Sequence, residues 1–534
     1  SWVAANEAKV QMTDKLTERD ITFSKVAAGQ GTELKDAELT VSGTDISGKA
    51  FTESWKSDGN AKVLKLKAGV YKMVEDQAPL GYNKASEIEF KVELDGSVKI
   101  KQGNSWVAAN EAKVQMVDEL KSNKVKFSKV KAGQGTELVG ADITVSGKDI
   151  YNQPFSQTWK SDGNAKELEL KAGEYTMVED QAPLGYDKAE AIEFKVELDG
   201  SVKIKENGQW VDAADAKVQM VDELTDRDVT FSKVKAGQGT ELAGAKITVS
   251  GEDIHKRPYS QDWISDGTAK VLKLKAGEYT MKEDQAPLGY DKASEITFRV
   301  KEDGTVEINE GGTWTPAAEA KVQMVDELTG RDVTFSKVKA GQGMELAGAK
   351  ITVSGKDLHD RPYTQTWTSD GNAKELELKA GEYTMEEDQA PLGYDKAETI
   401  EFKVELNGSV KIKENGQWVD AADAKVQMVD ELTDRDVTFS KVAAGQGKEL
   451  KGAKITVSGN DIHDRLYMQT WISEGDAKVL KLKAGEYTMV EDQAPLGYDK
   501  ATSINFRVKE DGTVEVNEGG NWTPAADAKL QMID

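Results

Sequence analysis

Apolar and polar residues alternate along this chain in short runs. In residues 228–331 these runs are "DVTFSKV", "AKITVSG", "SQDWIS", "AKVLKLKAGEYTMKED", "SEITFRVKEDGTVEIN" and "AKVQMVD". A period of two is the signature of a β-strand with one face buried. Glycine, proline and Asp-Gly pairs break the runs, so "EDGT" and "LDGS" read as hairpin turns. "KAGEY" reads as the turn of a further hairpin, and "AADA" or "AANE" before the last run as a single helical turn. No helical period is sustained. The pattern predicts an all-β sandwich of about seven strands in two antiparallel sheets.

This pattern recurs every 104 residues, as the lysines of "FSK" show at Lys25, Lys129, Lys233, Lys337 and Lys441. Five tandem copies follow, each of a size to fold alone. Their expected bounds are 20–120, 124–224, 228–328, 332–432 and 436–534. One count does not balance. "SWVAANEAKVQMTD" at 1–14 repeats "SWVAANEAKVQMVD" at 105–118, so Asp14 reads as the end of the last strand of an upstream copy. The chain opens on Ser1 with no signal peptide, and the expectation is a piece of a longer array. A shifted pairing of Asp14 with Lys25 is the alternative.

Composition narrows the classes. A formal charge of −24 repels phosphate and argues against nucleic acid. No apolar run is long enough to cross a membrane as a helix. With no cysteine, a covalent staple cannot be a disulfide, and thiolate metal sites are excluded. The histidines are three, His255, His359 and His463, standing singly, so neither a metal nor a cofactor is expected. "AGQG" lacks the longer glycine pattern of a phosphate loop and reads as a turn, and "SDGNAK" lacks the spaced acids of a calcium loop.

The candidate chemistry comes from charges on the wrong face. Val125, Phe127 and Lys129 share one face of the first strand; Tyr175, Met177 and Glu179 share another, and Val218, Met220 and Asp222 a third. Between Met177 and Glu179 the equivalent positions are Val74, Val178, Lys282, Glu386 and Val490, which accept either charge and so face water. Each copy therefore sends a lysine, a glutamate and an aspartate inward. Buried charges cost several kcal/mol unless paired or neutralised. Burial makes a neutral amine and a protonated acid accessible together, so attack of the amine on the carboxyl carbon, with loss of water, is one outcome. A buried ion pair, or a lysine reaching out to water, is the other.

The stretches "FSKVKAGQGTELAGAKITVSG", "TWKSDGNAKELELKAGEYTMVEDQAPLGYDKA" and "VQMVDEL" resemble Cna B-type domains of Gram-positive surface proteins. They are most similar to the fibronectin-binding-protein domain that was split into a peptide tag and a protein catcher. The resemblance covers nearly the whole chain and implies five Ig-like sandwiches in an elongated array. It also implies an intramolecular isopeptide bond in each, promoted by the glutamate before the "APLGY" turn. Carried over by motif, the lysines pair as Lys25 with Asp118, Lys129 with Asp222, Lys233 with Asp326, Lys337 with Asp430, and Lys441 with Asp534. The promoting residues are Glu75, Glu179, Glu283, Glu387 and Glu491. The fifth copy reads "MID" where the others read "MVD". Many relatives use asparagine as acceptor and release ammonia; aspartate implies water.

A bond from first strand to last would carry tension past the fold between, leaving the linkers to lengthen. Lys129 lies 11 residues after Asp118, at most about 40 Å when extended. The resemblance implies a monomeric rod, extracellular and held to the cell wall through parts outside this chain, and no turnover enzyme. Two roles stay open: a stalk without a ligand, or repeats that themselves bind a host extracellular-matrix protein. A pilus subunit is a third, for which sorting motifs are absent from this sequence. Paired tryptophans such as Trp159 and Trp210, and the variable segment that runs from "TDISGKAFTESW" in the first copy to "NDIHDRLYMQTW" in the fifth, could mark contacts or only packing and a tolerant loop.

Overall fold

The computed structural model describes residues 12–534. The first repeat consists of β1 (Arg19–Ala27), β2 (Lys35–Asp45), β3 (Ala50–Asp58), β4 (Lys62–Leu66), β5 (Gly69–Gln77), β6 (Ile88–Val92), β7 (Val98–Gln102), β8 (Ser105–Ala108) and β9 (Lys113–Asp118). The same nine strands recur in every repeat, and the labels are used for their equivalents. Six strands form one sheet in the order β3-β2-β5-β6-β7-β8, and three form the other in the order β4-β1-β9. Among the described residues, no sheet joins strands of two repeats.

The alternation dictates the core. On β1, Ile21 and Phe23 are buried, and on β9 so are Val114 and Met116. They meet Leu39, Val41, Tyr71, Met73, Phe90 and Val98 of the larger sheet. Phe23 and Phe90 pack edge to face at 5.5 Å, and Tyr71 stacks on Phe90 at 5.6 Å. Burying one such ring stabilises by roughly 1.5–3 kcal/mol. Each repeat has its own cluster of this kind.

Three details differ from the sequence expectation. There are nine strands per repeat, where about seven are expected; one of the additional strands is the short tryptophan-bearing β8, which pairs with β7. Trp106 there lies beneath the Lys91 ammonium at 5.2 Å, while Trp55 of β3 packs on Phe23 at 5.9 Å, so both tryptophans of a repeat serve packing. The smaller sheet is mixed, because β1 and β9 run parallel.

The "KAG" segment does not turn a hairpin. It carries the chain from β4, beside β1, across to β5, beside β2. Its Gly69 is required by close approach, since a Cβ there would lie 2.4 Å from the Thr44 carbonyl oxygen. "LDGS" does turn the β6–β7 hairpin, with Gly96 at φ +89°. The "AANE" segment is a single 3-10 turn, Asn110–Ala112, whose Glu111 and Ala112 have left-handed φ of 53° and 50°. Residues 1–11 of the expected upstream strand lie outside the described residues. Asp14 is exposed and in no strand, and Lys25 faces Asp118, so the shifted pairing is not seen.

Candidate functional site

The parallel β1–β9 pair sets the centre of the site. Lys25 lies opposite Met116 and Ala27 opposite Asp118, so the lysine and the aspartate are two positions apart on neighbouring strands. Alternation turns both inward with Phe23 and Met116. From the facing sheet, β5 sends Glu75 inward after Tyr71 and Met73. Lys25 is 2% exposed, Glu75 0% and Asp118 1%.

These three groups meet. Lys25 Nζ is 2.7 Å from Glu75 Oε1 and donates to Asp118 Oδ1. In the other copies the lysine-to-glutamate distance is 2.9 Å, for Lys129 with Glu179, Lys233 with Glu283, Lys337 with Glu387 and Lys441 with Glu491. The lysines donate likewise to Asp222, Asp326, Asp430 and Asp534. Asp534 lies just past its strand, held by its own N–H on the Val442 carbonyl at 3.1 Å and by its carbonyl accepting from Ala444 N–H at 2.7 Å.

The electrostatics are unbalanced. One amine faces two carboxyls, so full ionisation would leave a net negative charge without water to solvate it. Burial is the main cause that pushes Asp118, Asp222, Asp326 and Asp430 up to about 6, with repulsion from the glutamate adding to it and the lysine opposing it. At Lys441 burial pushes the amine down. The upward shift favours the protonated form of those aspartates. The glutamate's free oxygen is tied: Glu75 Oε2 accepts from Ala85 N–H at 2.6 Å, and the same bond recurs at 2.7 Å in the other four repeats. This is what the "APLGY" turn does for the site, since it folds the chain back over the glutamate that precedes it.

A second carboxylate holds the lysine's backbone. Glu33, from the loop after β1, accepts from Ser24 Oγ and from Lys25 N–H at 2.8 Å, while the Lys25 carbonyl accepts from Leu34 N–H at 2.6 Å. Glu137, Glu241, Glu345 and Glu449 repeat this clamp. Sequence reasoning passes over it, although the "TEL" or "KEL" of four copies and the "MEL" of the other keep the glutamate, which is the signal the sequence offers. Replacing Glu241 by alanine should loosen Lys233 by about 1–2 kcal/mol, the worth of such hydrogen bonds. Faster amide exchange at Lys233 and Leu242, with the core amides of that repeat unchanged, is the expected reading.

Among the described residues no cluster of three or more histidines, aspartates or glutamates is placed to hold a metal ion. No helix there is long and apolar enough to cross a membrane. The remaining candidates resolve simply. "AGQG" is a tight turn with Gly29 and Gly31 at φ +75° and +68°. The variable segment spans the end of β2, the β2–β3 loop and most of β3, and in the second to fifth copies its loop is not free: Tyr151, His255, His359 and His463 in it touch the preceding repeat.

Comparison with known proteins gives the same architecture. The chain matches the SpaA prealbumin-like fold domain at residues 19–106, 123–209, 227–312, 331–417 and 435–521. A comparison with curated proteins returns no match. Among solved structures it is similar to the Bacillus anthracis TIE protein, at 19% identity and TM-score 0.36, covering 80% of this chain and 76% of that one. It is also similar to the pilus adhesin SpaC from Lactobacillus rhamnosus GG, at 16% identity and TM-score 0.29, covering 78% of this chain and 57% of that one. A Streptococcal ancillary pilin is similar at 14% identity and TM-score 0.22, with 58% of this chain and 99% of that one covered. Five matches that together take in most of the length, each on its own two-sheet sandwich, show that the chain belongs to the SpaA prealbumin-like fold domain family.

Proposed function

We propose that each repeat closes an isopeptide bond between its inward lysine and aspartate, and that the cross-linked array is the load-bearing stalk of a Gram-positive cell-surface protein. The observation that carries this reading is the same closed, buried lysine–glutamate–aspartate trio in all five copies.

The chemistry balances within the trio. The neutral Lys25 amine attacks the Asp118 carboxyl carbon and forms the C–N bond. Glu75, in reach of the amine, takes a proton from the nitrogen and returns it to the departing oxygen. The C–O bond breaks and one water leaves. No other reactant is needed. Holding the groups in contact can contribute roughly 7–11 kcal/mol toward the barrier. The product replaces a charged pair by a neutral amide, which a dry interior favours. Each trio acts once, on its own chain, so this is no turnover enzyme.

Topology gives the bond its mechanical consequence. β1 is the first strand of a repeat and β9 the last, and they are already neighbours. A bond between them passes tension from entry to exit beside the fold. The closeness to the tag-and-catcher domain, and with it the extracellular, wall-attached location, rests on the motifs "FSK", "E…APLGY" and "MVD".

The competing role, repeats that adhere by themselves, is tested directly. The array and a single repeat are passed over immobilised extracellular-matrix proteins. Neither should bind above a control surface. Saturable binding that rises with the number of repeats would make the repeats the adhesive part.

A further inference from the structure

The ends of neighbouring repeats meet through side chains. From the preceding repeat comes the "PLGY" turn. Tyr186 Oη is 2.9 Å from His255 Nε2 of the next, Tyr290 is 3.2 Å from His359, and Tyr394 is 2.9 Å from His463. The rings lie face against tilted face, with centroids 5.6–5.7 Å apart. These histidines are only 4–5% exposed. Two residues on, Arg257 forms ion pairs at 2.7 Å with Asp253 of its own loop and with Glu223, the residue after Asp222. Arg361 and Arg465 do the same with Glu327 and Glu431.

The backbones fit as well. Gly185 has φ +85°, and a Cβ there would come within 2.7 Å of Glu302 in the next repeat; Gly289 likewise meets Leu406, and Gly393 meets Glu510. The connecting residues are bonded from both sides. Thr225 N–H donates to the Gly185 carbonyl, Asp187 N–H to the Glu223 carbonyl, and Lys275 Nζ to the Leu224 carbonyl.

The joint between the first two repeats is built differently. Tyr82 bonds to Tyr151, and the arginine position holds Gln153, which has no charge to pair with Glu119. The loop frame is nevertheless the same. Asp149 Oδ1 accepts from Tyr151 and Gln153 N–H just as Asp253 Oδ1 accepts from His255 and Arg257 N–H, and the residue between has φ near +61° in both.

We propose that the β2–β3 loop is a head-to-tail recognition surface for a copy of the same repeat, which locks successive repeats at a fixed angle, and that its histidine makes three of the four joints acid-labile. This property is independent of whether the array is a stalk.

The groups facing each imidazole support the sign. Burial, the largest cause, pushes all three below their ordinary value. Around His255, Asp253 and the Ala132 backbone favour the charged ring, while Arg257 and Lys131 oppose it. Around His359, Arg361 and Lys235 oppose it and Asp357 and Glu327 favour it. Around His463, Asp461 and the Ala340 backbone favour it and Arg465 and Lys339 oppose it. The tyrosine hydroxyl opposite is neutral, its pKa raised by burial in each case. A base depressed in the docked state binds fewer protons there than when free. Docking is therefore complete above the ordinary imidazole value of about 6.5 and is lost as the pH falls from there through the lower docked value.

The absence of native cysteine makes the test clean. Spin labels at Thr52→Cys and Ser156→Cys report the first joint, and at Ser156→Cys and Ser260→Cys the second, all at exposed positions of β3. Distance distributions are recorded on the full chain at about pH 8 and about pH 5.5, either side of the imidazole range. Both should be narrow at the higher pH. On acidification the second should broaden severalfold and the first should not. His255→Tyr, the solution the first joint already uses, should abolish the response of the second. Equal broadening of both pairs, no broadening of either, or a response that survives His255→Tyr would overturn the proposal. So would broad distributions at the higher pH.

Discussion

The intact chain is expected to weigh five waters less than the sum of its residues, one for each closed trio. Mass spectrometry under denaturing, reducing conditions reads this directly, because an amide, unlike an ion pair, survives both. Proteolysis should then yield branched peptides joining "FSK" to "MVD" within each repeat, or to "MID" in the fifth, and none joining two repeats. The sites are near-equivalent in burial and distance, so the expected deficit is the full five and not a spread. A mass equal to the residue sum would mean that the lysine and aspartate remain an ion pair, and the bonded-stalk reading would fall with it.

The second large effect is expected from Glu283→Gln. The exchange keeps the size of the side chain and can still accept from Ala293 N–H, the bond that Glu283 makes at 2.7 Å. It removes the group that carries the proton. The third repeat should stay open, and the deficit should drop from five waters to four. What is lost in stability is then mostly the tether. Lys233 and Asp326 are 93 residues apart, and a disulfide closing a loop of that size restricts the unfolded chain by about 4–5 kcal/mol. A neutral hydrogen bond is worth about 1 kcal/mol, so the tether dominates. The third repeat should unfold first on heating and be cut first by protease, while the other four keep their resistance. Equal resistance of all five, with the water regained, would show that the bond adds nothing to stability.

Much of the site is legible in the residues themselves, for a simple reason. Alternation in "VTFSK", "YTMKE" and "VQMVD" assigns faces residue by residue, and an ionisable group at the end of an apolar face is conspicuous. The fivefold recurrence at 104 residues makes each trio visible against the variation around it. The clamp on the lysine's backbone is not legible. Glu33 acts on N–H and hydroxyl groups of a strand eight and nine residues earlier, and a loop glutamate looks like any solvated acid.

The histidines show the same limit more sharply. Standing singly in a variable segment, they give no pattern, and a tolerant exposed loop is the plainer expectation. Their partners, Tyr186, Tyr290 and Tyr394, are 69 residues earlier and in another repeat. The linkers escape spacing for a related reason. The 11-residue step from Asp118 to Lys129 counts mostly strand, and the few residues between strands are bonded to the turn before them.

Strand periodicity and the recurrence at 104 residues together therefore determined that the chain is β throughout, that it repeats five times, and which three charges in each copy turn inward. The reason is that parity assigns a strand residue its face and comparison across the copies shows which face meets water. Tertiary structure decided that β1 and β9 run parallel as neighbours, that "KAG" crosses between sheets, and that a loop of one repeat reads the end of the one before. Those outcomes depend on which distant surfaces fit and which buried polar atoms find partners, and no spacing along a single strand encodes that.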